Sequence, residues 1–179
     1  MVCRALLKSR NRKKQMQRND KPVHGPAVHK AMNLLLHRDR TEQELRNRLE
    51  AGGFSAEETE EAIEYTASFG YVNDRRYAEN YAVSFAGKKS RRMISADLRA
   101  RGVDERWIEE ALSSLPQDES EQIRVLIRKR AGEPHKLEEN EKRRLHGFLA
   151  RRGFGCCDII REIRNFENAI DDWNHNGRM

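Results

Sequence analysis

The sequence lacks the features that mark membrane, secreted and disulfide-bonded proteins. None of its apolar runs approaches the roughly 18 residues of a membrane-spanning helix, and the N-terminal stretch RALLK is too short for a signal-peptide core. The 3 cysteines, an odd number, include no CxxC pair, which predicts reduced, structural thiols. These absences favour a cytoplasmic protein that does not bind membranes.

Patterns typical of enzymes and metal sites are also missing. The stretch AGKKS resembles a phosphate-binding loop, but Ala82 stands where the first glycine belongs, and Lys88 is followed by Lys89 instead of Ser or Thr. The 6 histidines include no pair at the i, i+4 spacing of a metal-binding helix face. No G-x-S-x-G motif is present. We therefore expect neither catalysis nor a cofactor.

Charge, by contrast, is abundant and unevenly distributed. Charged residues make up 36% of the chain, with a net charge of +6. Residues 1–30 contain nine Lys and Arg against Asp20 alone, so the remainder of the chain is slightly acidic. Because the tail at residues 1–26 has no apolar periodicity, we predict that it is mobile. It serves either as a solubilising arm or as a phosphate-binding arm.

Three segments of similar sequence, RLEAGGF, DLRARGV and FLARRGF, recur about 50 residues apart. In each, a leucine lies four residues before a glycine, and a leucine or isoleucine lies eight residues before it. The three glycines are Gly53, Gly102 and Gly153. The spacing puts the apolar residues on one helical face, and glycine suits the left-handed conformation that ends a helix. Each segment therefore predicts a helix, a tight turn and a second helix.

Capping signals support these helix boundaries. Thr41 and Ser55 each precede a glutamate by three residues, as in a capping box, and Asp104 is suited to the N-cap position. A further amphipathic helix precedes each pair, as in the stripe that contains Val28 and Met32. Each repeat therefore contains three helices, A, B and C, and no alternating strand pattern competes with them.

The predicted fold class is all-α, with three tandem three-helix repeats in an elongated array that can curve. Such repeats bury their apolar faces by stacking on their neighbours. The predicted division is a basic tail at 1–26, repeats at 27–73, 74–116 and 117–167, and a C-terminal extension at 168–179.

The outward face of helix B is basic in the second and third repeats. At 100° per residue, Arg92 and Arg99 point away from the apolar stripe that contains Ile94. The counterpart of Arg92 is Arg143 in the third repeat but Gln43 in the first. The candidate residues for binding a partner or DNA are Lys88, Lys89, Arg91, Arg92, Arg99, Lys142, Arg143, Arg144 and Arg151. This segregation favours a polyanion or a polar protein groove as the partner.

The first C helix has the opposite charge. It contains five glutamates, and no Lys or Arg occurs between residues 55 and 74. The glutamates are Glu57, Glu58, Glu60, Glu61 and Glu64. In a helix-turn-helix protein the second helix enters the major groove, where phosphates would repel this sequence. The charge therefore argues against sequence-specific DNA recognition.

Four segments together resemble the RecX family, bacterial regulators of the recombinase RecA. They read DRTEQELRNRLEAGGF, FGYVNDRRYAENYA, SRRMISADLRARGVDERWIEEAL and RRLHGFLARRGFGCCDIIREIRNF, and the match spans about residues 28–166. The resemblance implies a cytoplasmic, non-enzymatic protein that binds the groove of the RecA filament on DNA. It further implies that the protein mostly inhibits RecA and so modulates homologous recombination, DNA repair and the SOS response.

We expect a monomer that contacts DNA weakly and without sequence preference, in part through its basic tail. Two alternatives stay open. The chain can be a helical-repeat protein that binds DNA or RNA without a recombinase partner, or a scaffold that binds another protein altogether.

Overall fold

The computed structural model describes residues 25–176, with side-chain surroundings for residues 25–169. Within that range the chain forms nine helices and no strand, which confirms the all-α class. The helices are α1 Pro26–His37, α2 Glu42–Glu50, α3 Ala56–Ser68, α4 Asp74–Phe85, α5 Arg91–Ala100, α6 Glu105–Ser113, α7 Ser120–Ala131, α8 Glu139–Ala150 and α9 Cys156–Asn176. None of them is long and apolar enough to cross a bilayer. The basic tail up to residue 24 lies outside the described residues.

The helices group in threes, as the repeats predict: α1–α3, α4–α6 and α7–α9. The chain divides into two compact units that do not coincide with these repeats. Unit 1 contains the described residues up to Tyr77 together with Arg101–Val103. Unit 2 contains Ala78–Ala100 and the chain from Asp104 onward.

Unit 1 is built around the packing of α1 on α3, with α2 completing a small three-helix core. The buried core residues are Ala27, Val28, Ala31, Met32, Leu35, Leu45, Leu49, Ala62, Ile63 and Val72. Those on α1 recur every three or four residues, so one apolar stripe of the helix is buried and its other face is solvated. The predicted stripe of α1 is confirmed.

The predicted helix caps are present, with one difference. At Ser55 the reciprocal capping box with Glu58 is complete, with bonds of 2.9 and 3.2 Å. At Thr41 only half of the box forms: its hydroxyl accepts the N–H of Glu44 at 3.1 Å, but the Glu44 carboxylate pairs with Arg101 at 2.6 Å. A charged partner brought from a distant turn has displaced the local hydrogen bond.

The glycine turns after α2, α5 and α8 all have the predicted left-handed backbone, with φ of 86°, 76° and 89°. The second and third of these turns also contact the start of the B helix of the preceding repeat. The Thr41 hydroxyl donates to the Arg101 carbonyl at 2.7 Å, and the Ser90 N–H donates to the Arg152 carbonyl at 2.9 Å. The same stacking contact is therefore made twice, once within each unit.

Asp74, at the start of α4, is a half-buried carboxyl that accepts the backbone N–H of Glu42 at 2.9 Å. Burial raises its pKa to about 6, although the hydrogen bond from Glu42 favours the ionised form. The neighbouring negative charges of Glu42 and Glu44 raise the pKa further. Asp74 therefore titrates near neutral pH.

Unit 2 contains a second core, formed mainly by α7, α8 and α9. Its buried members are Ile123, Leu126, Ile127, Leu137, Leu145, Leu149, Phe154, Ile159, Ile163 and Phe166. Glu162 is also buried, and it accepts hydrogen bonds from Arg124, Arg161 and Asn165 at 3.0 to 3.2 Å. Burial alone would raise the pKa of Glu162, but these donors and the two arginine charges outweigh it and lower the pKa.

The cysteines that the structure describes differ in part from expectation. Cys156 and Cys157 are free thiols, as predicted, but both are exposed at the start of α9 and take no part in the core. The prediction that they are structural was therefore wrong. The Cys156 sulfur lies 3.4 Å from Nε2 of His146.

Candidate functional site

All nine candidate binding residues lie in unit 2, on or beside α5 and α8. The start of α5 is fixed by Ser90, whose hydroxyl accepts the N–H of Met93 at 3.2 Å. At the start of α8 the Glu141 carboxylate accepts the N–H of Glu138 at 3.0 Å, as in a capping box. Sequence reasoning missed this second cap because glutamate seldom occupies the N-cap position.

Four of the nine are exposed arginines that form no ion pair with any other residue in the described part of the chain. They are Arg92, Arg143, Arg144 and Arg151. Lys88 is also exposed, with its Nζ 5.5 Å from the centre of the Phe85 ring. A guanidinium offers up to five N–H donors in a rigid fork, so the unpaired arginines suit phosphate or carboxylate oxygens.

Lys89 is held inside unit 2 instead. Its Nζ lies 2.5 Å from Asp97 and 3.3 Å from the Tyr81 hydroxyl, which itself donates to Asp97 at 2.9 Å. The hydrogen bond to Asp97 is the main reason why the pKa of Lys89 is raised, against an opposing effect of burial. This cluster joins α4 to α5.

Arg91 is likewise used within the unit. Its Nη1 donates to the carbonyls of Leu112 and Leu115 at 2.6 and 2.8 Å, and its backbone N–H donates to Glu119 at 2.5 Å. These bonds tie the Arg91 side chain to the end of α6 and to the loop that follows it. Arg91 therefore stabilises the connection between α6 and α7.

Two further candidates form ion pairs on the surface. Arg99 pairs with Glu105 through two hydrogen bonds, one of them 2.7 Å long, and Glu105 is the chief reason why the pKa of Arg99 is raised. The Nζ of Lys142 lies 3.1 Å from Glu167 and 3.7 Å from Glu139. An external anion would have to compete with these carboxylates, so both residues are less available than Arg92 or Arg143.

The structure also places two arginines around one ring, which sequence reasoning missed. The guanidinium carbons of Arg152 and Arg130 lie 3.6 and 4.8 Å from the centre of the Phe148 ring. The Nη1 of Arg152 donates to the Phe148 carbonyl at 3.1 Å. The sequence shows a basic run at the end of α7 and the adjacent pair Arg151 and Arg152. Only the packing of α7 on α8 brings Arg130 and Arg152 together at one ring.

We give the name cationic surface to six arginines of unit 2 that lack a carboxylate partner in the described residues. It consists of Arg92, Arg130, Arg143, Arg144, Arg151 and Arg152. The contact between Ser90 and Arg152 brings the start of α5 next to the turn after α8, although the two are far apart in sequence. Unneutralised like charges near one another favour a polyanionic or acidic partner.

In unit 1, by contrast, α3 is acidic. All five of its predicted glutamates are exposed, and the ion pairs of the described residues neutralise only Glu60, which Arg46 binds at 2.8 Å. That bond is the chief reason why the pKa of Glu60 is lowered. Among the described residues, no cluster of His, Cys, Asp and Glu is suited to hold a metal ion.

Family models match the chain in three places. RecX first, second and third three-helix domains match residues 27–65, 73–112 and 117–161. A regulatory protein RecX of Trichlorobacter lovleyi is 39% identical over 139 residues, which cover 74% of this chain and 90% of that protein. A regulatory protein RecX of Amycolatopsis mediterranei is 37% identical over 126 residues, covering 68% of this chain and 72% of that protein.

Solved structures show the same fold. The crystal structure of RecX from Lactobacillus salivarius superimposes with a TM-score of 0.62 at 22% identity, covering 79% of this chain and 94% of that one. A second crystal structure of a regulatory protein RecX gives a TM-score of 0.61 at 20% identity, covering 77% of this chain and 71% of that one. At these identities the likeness supports the fold alone.

Proposed function

This chain belongs to the RecX family of regulatory proteins, and from that premise we propose that it binds the RecA–DNA filament and mostly inhibits RecA. Through this inhibition it modulates homologous recombination, DNA repair and the SOS response. The observation that carries the proposal is the cationic surface of unit 2, which coexists with an acidic α3 in unit 1. A partner made of both protein and DNA presents both signs of charge.

The helical framework supports binding rather than catalysis. Arg92 and Arg143 project from α5 and α8, whose opposite faces are fixed by buried residues such as Leu98 and Leu149. Because the helices are rigid, the arginines are positioned before binding, and little backbone entropy is lost when a partner arrives. Regulation by occupancy of a groove needs no chemical step, so neither a cofactor nor a nucleophile enters the mechanism.

Inhibition by groove binding also has a stoichiometric consequence. A protein lodged in the groove of a helical filament blocks movement of many subunits beyond those that it touches. We therefore expect substoichiometric amounts of this protein to reduce the DNA-dependent ATPase and strand exchange of RecA. Because salt screens the charge–charge attraction across the interface, we expect the affinity for the filament to fall as the salt concentration rises.

A second candidate function is nucleic-acid binding without a recombinase. The cluster of Arg130, Phe148 and Arg152 favours it, because arginines held over an aromatic ring can bind phosphates and stack on bases. This function predicts inhibition only where bare DNA is available. DNA that is already fully coated by RecA therefore separates the two candidates.

The test is a charge-reversal variant that carries Arg92→Glu, Arg143→Glu and Arg144→Glu. All three side chains are exposed and unpaired within the described residues, so helicity and melting temperature should be unchanged. On fully coated DNA we expect the concentration for half-inhibition of the RecA ATPase to rise roughly tenfold or more.

The matched control carries Lys30→Glu, Arg48→Glu and Lys136→Glu, which changes the net charge by the same amount at other exposed positions. Equal loss of inhibition in both variants would mean that total charge, and not the α5 and α8 surface, governs binding. Absence of inhibition by the unmutated protein on coated DNA would favour the nucleic-acid-binding function instead.

A further inference from the structure

A cluster of three aromatic rings lies at the end of α3 in unit 1. The ring centres of Tyr65 and Phe69 are 4.8 Å apart, and those of Phe69 and Tyr71 are 5.9 Å apart with nearly parallel planes. Phe69 is 60% exposed, whereas both tyrosines are half-buried and pack against the core of unit 1. We call these three residues the aromatic cluster.

The cluster stands on a rigid turn. Gly70 has a φ of 67°, and the N–H groups of Tyr71 and Val72 both donate to the Thr66 carbonyl, at 2.9 and 3.3 Å. The Arg76 guanidinium donates to the Gly70 carbonyl at 3.0 Å and so holds the turn from outside. Because the backbone and both supporting tyrosines are fixed, the Phe69 ring loses little freedom when a partner covers it.

Exposure of Phe69 is not explained by folding. Isolated surface aliphatics such as Val83, at 65% exposed, are ordinary in soluble proteins. Phe69 is instead an aromatic ring that packs on two others. Each square ångström of its surface that stays exposed to water forgoes the favourable free energy of burial. Preorganised aromatic residues of this kind supply a large share of the binding energy at protein interfaces.

Along α3 the cluster is bordered by acidic residues, whereas the Arg76 guanidinium lies against the carbonyls of the turn. Glu61 precedes Tyr65 by one helical turn on α3, and Tyr65 precedes Phe69, the residue that caps this helix, by another four positions. Glu64 is also exposed, and no Lys or Arg occurs between residues 55 and 74. Nucleic acid is therefore an unfavourable partner, because its phosphates would meet like charge.

We propose that the aromatic cluster docks into an apolar pocket rimmed by Lys and Arg on a protein partner. This inference rests on the proposed function and deepens it: the pocket belongs to the protein subunits of the filament, not to their DNA. The acidic residues beside the rigid aromatic anchor, Glu61 and Glu64, complement the charge of such a pocket. Unit 1 then recognises protein, while the cationic surface of unit 2 meets the anionic part of the filament.

The test compares Phe69→Ala with Val83→Ala, which removes a side chain of similar exposure outside the cluster. The full chain, labelled with a fluorophore, is titrated with RecA on fully coated single-stranded DNA and, separately, with the same DNA bare. Loss of a central aromatic anchor should weaken binding to the coated filament about tenfold or more. Binding to bare DNA should be unchanged, and Val83→Ala should behave as the unmutated protein in both titrations.

A second variant tests the rim without touching the ring. Glu61→Lys with Glu64→Lys should also weaken filament binding, while Glu109→Lys with Glu133→Lys, at exposed positions in unit 2, should not. If Phe69→Ala and the rim variant both bind the coated filament as the unmutated protein does, the docking site is refuted although the proposed function stands. If the unmutated protein itself does not bind coated filament, the proposed function has failed.

Two other occupants give distinct results. If the basic tail covers the cluster in cis, deletion of residues 1–24 and Phe69→Ala will each strengthen filament binding. If a second copy of the chain covers it, Phe69→Ala will turn a dimer into a monomer in sedimentation. Either result would overturn the proposal.

Discussion

The stacking contact between repeats can be tested by adding a single methyl group at each glycine turn. Gly53, Gly102 and Gly153 have the same left-handed backbone, so replacement by alanine imposes the same local strain at all three. Their surroundings differ. An added Cβ at Gly53 would meet nothing within 4 Å, whereas at Gly102 it would lie 2.7 Å from Cγ of Gln43 and still nearer to its Cβ.

The magnitudes follow from these two effects. A left-handed backbone costs an alanine about 1–2 kcal/mol, which is the whole effect expected at Gly53. At Gly102 the overlap with Gln43 Cβ cannot be relieved by a rotamer change, because that atom is fixed to the backbone of α2, and overpacking adds about 1–3 kcal/mol. Gly153 should resemble Gly102, since its added Cβ would lie 2.7 Å from Cβ of Met93.

The assay is urea unfolding of the three alanine variants, followed by circular dichroism at the helical minimum. Gly102→Ala and Gly153→Ala should each lose roughly 1–3 kcal/mol more of the free energy of unfolding than Gly53→Ala. In the Gln43→Gly background Gly102→Ala should cost less than in the unmutated chain, because the overlapping atom is gone, whereas the cost of Gly153→Ala should be the same in both. Equal losses at all three glycines would refute the stacking contact as the reason for the difference.

Two further predictions concern stability. Because the pKa of Asp74 is about 6 in the folded chain and 3.8 without the surrounding structure, the folded state binds more protons between these values. Stability relative to Asp74→Asn should therefore fall by about 1–2 kcal/mol as pH rises from 4 to 7, after allowance for solvent screening of a half-buried group. The free energies of unfolding of both proteins are measured by urea titration at each pH. A difference between them that stays constant from pH 4 to 7 would contradict the raised pKa of Asp74. Leu98→Ala should cost about 2–5 kcal/mol because Leu98 is completely buried on α5, and an unchanged melting temperature would show that the site is not core.

The helices and their ends were predictable because the signals that define them are local. The apolar spacing that ends at Gly53, Gly102 and Gly153 identified three B helices, and each glycine has the left-handed backbone that was expected. Ser55 and Asp104 cap their helices as predicted, through bonds to residues two or three positions away. Such interactions lie within one helical turn, so neighbouring residues suffice to specify them.

The candidate site was predictable only in outline. A helical wheel gives the angle of a side chain relative to the core stripe, and it correctly placed Arg92 and Arg143 on exposed faces. It cannot say what approaches that face from elsewhere in the chain. Lys89 and Arg91 have the same charge as Arg92, yet Asp97 and the carbonyls of Leu112 and Leu115 bind them within unit 2.

The sequence by itself therefore determined the helix ends that Ser55, Asp104 and the three glycines mark, which faces are buried and which repeats are basic. The tertiary structure alone decided which charges are neutralised, because ion pairs such as that between Glu44 and Arg101 join residues 57 positions apart. The tertiary structure also decided that Arg130 and Arg152 both pack on the Phe148 ring, and that the Phe69 side chain is exposed to solvent. These outcomes depend on how whole helices pack, and packing is set by the summed burial of both cores and not by any local pattern.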